Sequence, residues 1–187
     1  MQCNIDKNTL RMQMKQRRRS LDKEEKESKS RTICAAFAAL DSFANATTVC
    51  VYMDAFNEVQ TSYLIDECKK QFKTVVVPVV DGDGIYLSPI SETFRKGAFG
   101  IREPLNVKKF PKEKVDMFAV PALAFDRFGG RVGFGKGYYD KLLKETDGIK
   151  VGLCYGFQLV DLINCESHDI LMDYIITEEQ VICCGKE

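Results

Sequence analysis

Two apolar, β-branched runs, Thr47-Thr48-Val49-Cys50-Val51-Tyr52-Met53 and Thr74-Val75-Val76-Val77-Pro78-Val79-Val80, bracket a stretch of helical character that Thr61 caps and that continues to about Phe72. Runs of this kind are buried strands, and strand, helix, strand in that order implies a right-handed parallel crossover. The pattern recurs down the chain. Asp81-Gly82-Asp83-Gly84 turns the second run into Ile85-Tyr86-Leu87-Ser88. Val115 to Val120 is a further strand ended by Pro121, Lys150 to Tyr155 another, and Tyr174-Ile175-Ile176-Thr177 the last. Residues 91–114 look irregular, with Gly97, Gly100, Pro104 and Pro111 as breakers.

With 187 residues and 45% hydrophobic content, the chain is long enough for one full core and short for two. The expected fold is α/β: a single domain over residues 1–187, with a mostly parallel sheet, helices on both faces and a Rossmann-like three-layer arrangement. Before the first strand come two helices. Residues 6–19 form a basic helix with a thin apolar stripe of Leu10, Met12 and Met14. Asp22 and Glu25 have the spacing of a capping box, and the helix after them runs to about Leu40, burying Ile33, Ala36, Phe37 and Leu40.

Formal charge is zero, which argues against a protein that coats nucleic acid, but it is unevenly spread. Lys7 to Arg31 carries ten bases and four acids, whereas Phe157 to Glu187 carries seven acids and one base. The two ends can close around a metal–phosphate ligand, or be two solvated surfaces of opposite sign. The eight cysteines show no CxxC spacing and mostly sit in apolar segments, so they read as reduced core residues rather than a zinc site or disulfide framework. No apolar run approaches a membrane span, and the polar Met1-Gln2-Cys3-Asn4 start has no signal-peptide character. A cytoplasmic location is expected, and so is a monomer.

The segment Gly129-Gly130-Arg131-Val132-Gly133-Phe134-Gly135-Lys136-Gly137-Tyr138-Tyr139-Asp140 holds most of the functional information. Glycines let several N–H groups approach one anion, Arg131 and Lys136 add charge, and a helix starting at Tyr138 offers its positive end. Gly130 to Lys136 fits GxxxxGK, but Gly137 stands where a P-loop needs the Ser or Thr that holds Mg²⁺. The dinucleotide fingerprint fails too. The loop is therefore a phosphate cradle of neither standard type, and Asp140 is the nearest candidate for the metal. Of the two adjacent tyrosines, at least one is expected to face a ligand cleft. His168, the single histidine, reads as structural.

Pro121-Ala122-Leu123-Ala124-Phe125-Asp126, with Gly130-Arg131-Val132-Gly133 and Gly135-Lys136-Gly137-Tyr138-Tyr139-Asp140, closely resembles the signature of the 5-formyltetrahydrofolate cyclo-ligase family. The resemblance covers nearly the whole chain. It takes in Lys7-x-x-Leu10-Arg11, Glu58 and Thr61, Phe99-Gly100-Ile101-Arg102-Glu103-Pro104, and His168-Asp169 ahead of Thr177-Glu178. It implies an enzyme that uses ATP and Mg²⁺ to convert 5-formyltetrahydrofolate into 5,10-methenyltetrahydrofolate, releasing ADP and phosphate. It further implies that Lys7 and Arg11 reach the ATP phosphates and that Arg131, Gly133, Gly135, Lys136, Gly137, Tyr138 and Tyr139 wrap the nucleotide. Arg131, Lys136 and Tyr138 would serve the chemistry. Met53, Glu58, Phe134 and Tyr138 would contact the folate, and Asp140 with Asp169 would hold the metal, Asp173 competing for the second place. The formyl oxygen is expected to take the γ-phosphoryl group, after which N10 closes the ring, with no protein nucleophile. A small ATP-dependent kinase acting on another acceptor, and a nucleic-acid-binding module using Arg17-Arg18-Arg19, are the rival readings.

Overall fold

The computed structural model describes residues 6–82, 84–97 and 100–185. The Met1–Asn4 start with Cys3, and Asp83, Phe99, Lys186 and Glu187, lie outside the described residues. Helix α1, Lys7–Ser20, is capped by Asp6, whose carboxylate accepts the amides of Asn8 and Thr9 at 3.1 Å. Helix α2, Lys23–Ala38, is capped by Asp22, which accepts the Glu25 amide at 2.7 Å. Only half of the expected capping box is seen, because the Glu25 carboxylate turns forward to Lys29 at 2.7 Å. α2 stops short of Leu40, which instead leads the short helix α3, Asp41–Asn45. Ile33, Cys34 and Phe37 are its buried apolar residues, while Ala36 and Leu40 are half-buried.

Strand β1, Thr48–Cys50, is followed by helix α4, Ser62–Lys70, and strand β2, Thr74–Asp81, which pairs parallel with β1 in the register Thr48 to Thr74. Thr61 stands at the start of α4 but makes no side-chain cap; its hydroxyl donates to the Tyr52 carbonyl at 2.6 Å. β3, Gly84–Pro89, returns antiparallel. Residues 91–114 are more regular than expected, with a small antiparallel pair of β4, Phe94–Lys96, and β5, Arg102–Pro104. Each strand has three residues, too few for an alternation to show, and Arg102 lies 4.4 Å over the Phe94 ring across the pair.

β6, Met117–Pro121, leads into β7, Ala124–Asp126, β8, Arg131–Val132, and helix α5, Tyr138–Leu143. β9, Ile149–Leu153, β10, Leu159–Val160, β11, Tyr174–Ile176, and β12, Val181–Cys183, complete the chain. The main sheet has seven strands in the order β12-β11-β9-β6-β1-β2-β3, parallel from β11 to β2 with antiparallel edges.

Side-chain alternation divides the core in two. Val49, Val51, Met117, Ala119, Val151 and Leu153 pack beneath α2 and α4. Cys50, Phe118, Val120 and Ile175 face the other way, against Leu142 and Leu143 of α5. Helices thus cover both faces, as the alternating pattern implies. The basic helix α1 does something else: Leu10 and Met14 pack with Leu123, Ala124, Val132 and Ile163 over a second, three-stranded sheet, β10-β7-β8. Burial of each such side chain stabilises the docking by roughly 1.5–3 kcal/mol, enough to hold a cation-rich helix against the sheet that carries the glycine loop.

Cys34, Cys50, Cys68 and Cys154 are core residues, but Cys165 and Cys183 are exposed and Cys184 half-buried, a departure from the expected pattern. Burial pushes the Cys34 thiol up to about 12. Among the described residues no helix is long and apolar enough to cross a membrane.

Candidate functional site

The glycine segment is two structures rather than one loop. Its first part is the β7–β8 turn, built on Asp126, which is 1% exposed. The Asp126 carboxylate accepts the amides of Phe128 at 3.0 Å, Gly130 at 2.8 Å and Ile163 at 2.7 Å, so a buried charge is met by three backbone donors. A Cβ on Gly130 would stand 2.8 Å from that carboxylate, which is why the position is glycine. The second part, Gly133 to Gly137, rises from β8 into the cleft. Gly135 and Gly137 have φ of 91° and 67°, a conformation side-chain-bearing residues rarely adopt. α5 has only six residues, so its dipole is a smaller source of positive potential than the sequence suggested. Side-chain cations carry the charge.

These cations come from α1. Lys7, Arg11, Lys15 and Arg18 recur at helical spacing and line a cavity of about 580 Å³ together with Arg19, Arg131 and Lys136. Arg11 braces the loop, its Nε donating to the Gly133 carbonyl at 2.9 Å. Lys7 reaches Asp169 at 3.4 Å and Glu166 at 3.9 Å. The basic beginning and acidic end of the chain therefore meet at the cleft, and again where Lys29 pairs with Glu178 at 3.0 Å. Burial opposes ionisation of Asp169, but the Glu166 amide and Lys7 outweigh it and hold the carboxyl below its ordinary value.

Every site residue expected from the sequence lines this one cavity: Lys7, Arg11, Met53, Glu58, Arg131, Gly133, Phe134, Gly135, Lys136, Gly137, Tyr138, Tyr139, Asp140 and Asp169. Asp173 does not; its carboxylate accepts the Lys150 amide at 2.7 Å, tying β9 to the start of β11. Arg131 is ion-paired with Asp140 and donates to the Ile170 carbonyl. Tyr138 donates to the Gly82 carbonyl at 3.3 Å. Both tyrosines line the cavity, though Tyr139 also packs against the core, where burial pushes its hydroxyl well above the ordinary value. Exposed His168 lies 3.8 Å from Asp169 and is not among the cavity's lining residues.

A second group of contacts surrounds Phe134. Its ring lies 5.7 Å from that of Phe56, with Lys15 at 5.4 Å and Arg18 at 5.6 Å from its centre. Beside it, Glu58 is 8% exposed, 3.8 Å from Arg18, and accepts the Ala55 amide at 3.0 Å. Burial raises Glu58 to about 7, against the pull of Arg18 and the Ala55 amide. Lys15, Arg18, Arg19, Phe56 and Glu103 are among the site residues that sequence reading missed. For Arg18 a signal was present: it falls four residues after Met14 and eight after Leu10, on the buried stripe of α1.

The cavity thus joins a cation-lined end, with two carboxylates beside it, to an aromatic and apolar part holding a buried acid. The profile of the 5-formyltetrahydrofolate cyclo-ligase family matches residues 4–178. The 5-formyltetrahydrofolate cyclo-ligase of Escherichia coli K12 is 30% identical over 179 residues, spanning 90% of this chain and 98% of its own length. The mouse 5-formyltetrahydrofolate cyclo-ligase is 26% identical, covering 94% of this chain and 95% of its own. Among solved structures, the 5,10-methenyltetrahydrofolate synthetase of Aquifex aeolicus superposes with a TM-score of 0.87 at 36% identity, over 97% of this chain and 94% of that one. The synthetase from Mycoplasma pneumoniae follows at a TM-score of 0.78 and 28% identity, over 93% and 99% of the two chains. By sequence and by fold, the chain belongs to the 5-formyltetrahydrofolate cyclo-ligase family.

Proposed function

We propose that the protein closes 5-formyltetrahydrofolate to 5,10-methenyltetrahydrofolate, using ATP and Mg²⁺ and releasing ADP and phosphate. The observation that carries the reading is that a single cavity joins the Lys7, Arg11 and Lys136 cations to the Glu58, Met53 and Phe134 surface. A nucleotide and a reduced folate can then share one reaction space. The relatives named above carry the cyclo-ligase and synthetase names, which leaves a kinase acting on another acceptor without support.

The donor set suits Mg²⁺. Among the described residues no three His, Cys, Asp or Glu side chains converge on a metal position, and Mg²⁺ takes one or two carboxylates and completes its shell with phosphates and water. Asp140 and Asp169 are the residues that would hold it. When bound, it supplies positive charge against the phosphate oxygens.

The remaining chemistry falls to positioning. Arg11 and Gly133 hold the glycine loop in place, and Lys7 and Lys136 offer ammonium groups to the polyphosphate. The formyl oxygen attacks the γ-phosphorus and the bond to the ADP oxygen breaks. N10 then adds to the formyl carbon, its proton is lost, and the carbon–oxygen bond breaks to release phosphate. Lys136 and Arg131 oppose the charge that builds on the transferred group. Glu58 accepts from the N–H edge of the pterin, and Phe134 with Met53 supplies apolar contact.

Mixing the protein with 5-formyltetrahydrofolate, ATP and Mg²⁺ should produce methenyl absorbance. Folded protein that binds nucleotide yet yields no such product would overturn the proposal.

A further inference from the structure

Phe56 and Asn57 are consecutive non-glycine residues with φ of 50° and 57°. Left-handed backbone at such residues is strained and persists only where the surroundings over-determine it. Arg18 does so from both sides. Its Nη2 donates to the Phe56 carbonyl at 2.7 Å, and its own carbonyl accepts from Asn57 Nδ2 at 3.1 Å. The residue delivered by this turn is Glu58, whose Oε1 lies 3.8 Å from Arg18 Nη1.

Arg18 is 1% exposed, and its Nε is buried without a hydrogen-bond partner among the described residues. An incompletely satisfied buried cation is a poor device for stability, since well-packed apolar residues in place of a buried ion pair are often as stable or more so. Its contacts instead converge on the cleft wall: the Phe56 carbonyl, the Ala122 carbonyl at 3.4 Å, the Glu58 carboxylate and the Phe134 ring.

We propose that Arg18 is a positioning residue, clamping the Phe56–Asn57 turn so that the Glu58 carboxylate is aimed at the N–H donors of the reduced folate. The inference rests on the folate reading of the cleft. The groups facing Glu58 are Arg18 from α1, Tyr52 and Asp54 from the segment after β1, Tyr139 from α5, and Tyr155 after β9, whose hydroxyl donates to the Glu58 carbonyl at 2.8 Å. Arg18 is the cation among them, and its removal leaves burial unopposed by a positive charge.

The test uses Arg18→Gln in the full chain, with folding checked by thermal melting. KM for 5-formyltetrahydrofolate should rise about tenfold or more, as for a misaimed contact, while KM for ATP stays within about twofold. The acid limb of kcat/KM for the folate should move to higher pH as Glu58 loses its cation. In a Glu58→Gln background the added Arg18→Gln change should raise folate KM little further. Should Arg18→Gln not fold, Arg18→Lys and Asn57→Ala each loosen the same clamp and carry the same comparison. An unchanged folate KM, or equal rises in both KM values, would overturn the inference. Wild-type protein that makes no methenyl product would instead remove the parent reading, so the two failures are distinct.

Discussion

The guanidinium of Arg131, on β8, is ion-paired with the carboxylate of Asp140, on the first turn of α5. The cation assigned to charge neutralisation and the carboxylate assigned to the metal therefore hold each other across the glycine loop. Arg131 is also tied to the Ile170 carbonyl, next to Asp169, so the pair links the loop to both proposed metal carboxylates. Nucleotide and Mg²⁺ bound as proposed would redistribute these contacts, and the pair keeps either charge from standing alone.

Asp140→Asn keeps the shape of the side chain and removes its charge. It should shift the Mg²⁺ titration of turnover to higher concentration, about tenfold or more. A metal titration identical to wild type would move the ligand elsewhere.

Lys136 is exposed on the loop and lines the cleft, so its loss should spare the fold. Lys136→Ala should lose about 3 kcal/mol of transition-state stabilisation, roughly a hundredfold in kcat, in the range of other preorganised charge donors. Steady-state kinetics with saturating ATP checks this, and wild-type turnover would remove Lys136 from the mechanism.

Gly137 has a φ of 67° and, among the described residues beyond its chain neighbours, no atom within 4 Å of where a Cβ would stand. Gly137→Ala therefore isolates backbone strain from steric collision. It should destabilise by about 1–2 kcal/mol, seen as a fall of roughly 2–8 °C in Tm. Gly130→Ala, which meets the buried Asp126 carboxylate at 2.8 Å, should cost more.

Glu58 makes stability depend on pH in a particular direction. Its folded value is raised from the ordinary 4.5 to about 7, so between these limits the native state binds a proton that the unfolded state does not. Stability should therefore fall as pH rises through that window and level off above it. Glu58→Gln should flatten this part of the curve, measured by denaturant unfolding at a series of pH values. An unchanged slope would show that Glu58 titrates normally.

Much of this was legible in the chain itself. The β-branched runs of residues 47–53 and 74–80 have enough length to announce strands, and the sheet places them side by side in parallel. That Arg131, Gly133, Gly135, Lys136 and Asp140 line one cleft was legible as well, since they are neighbours in sequence.

What sequence could not supply depends on distant partners. β7, β8 and β10 have two or three residues each and owe their existence to ladder bonds with one another, so no periodicity reports them. Asp126 looks like part of a signature, yet its work is to tie the amides of a turn and of Ile163 together. Arg18 follows the Leu10 and Met14 stripe of a basic helix, but the Phe56, Glu58 and Ala122 groups it meets lie far along the chain, and nothing local names them.

The sequence alone determined the α/β order of elements, the glycine loop and the spacing of the α1 cations, because helix and strand periods and glycine's backbone freedom act over a few residues. Only the tertiary structure decided that Arg18 and Glu58, forty residues apart, share one buried corner of the cleft. A buried charge is specified by the groups that compensate it, and those groups come together only when the chain is folded.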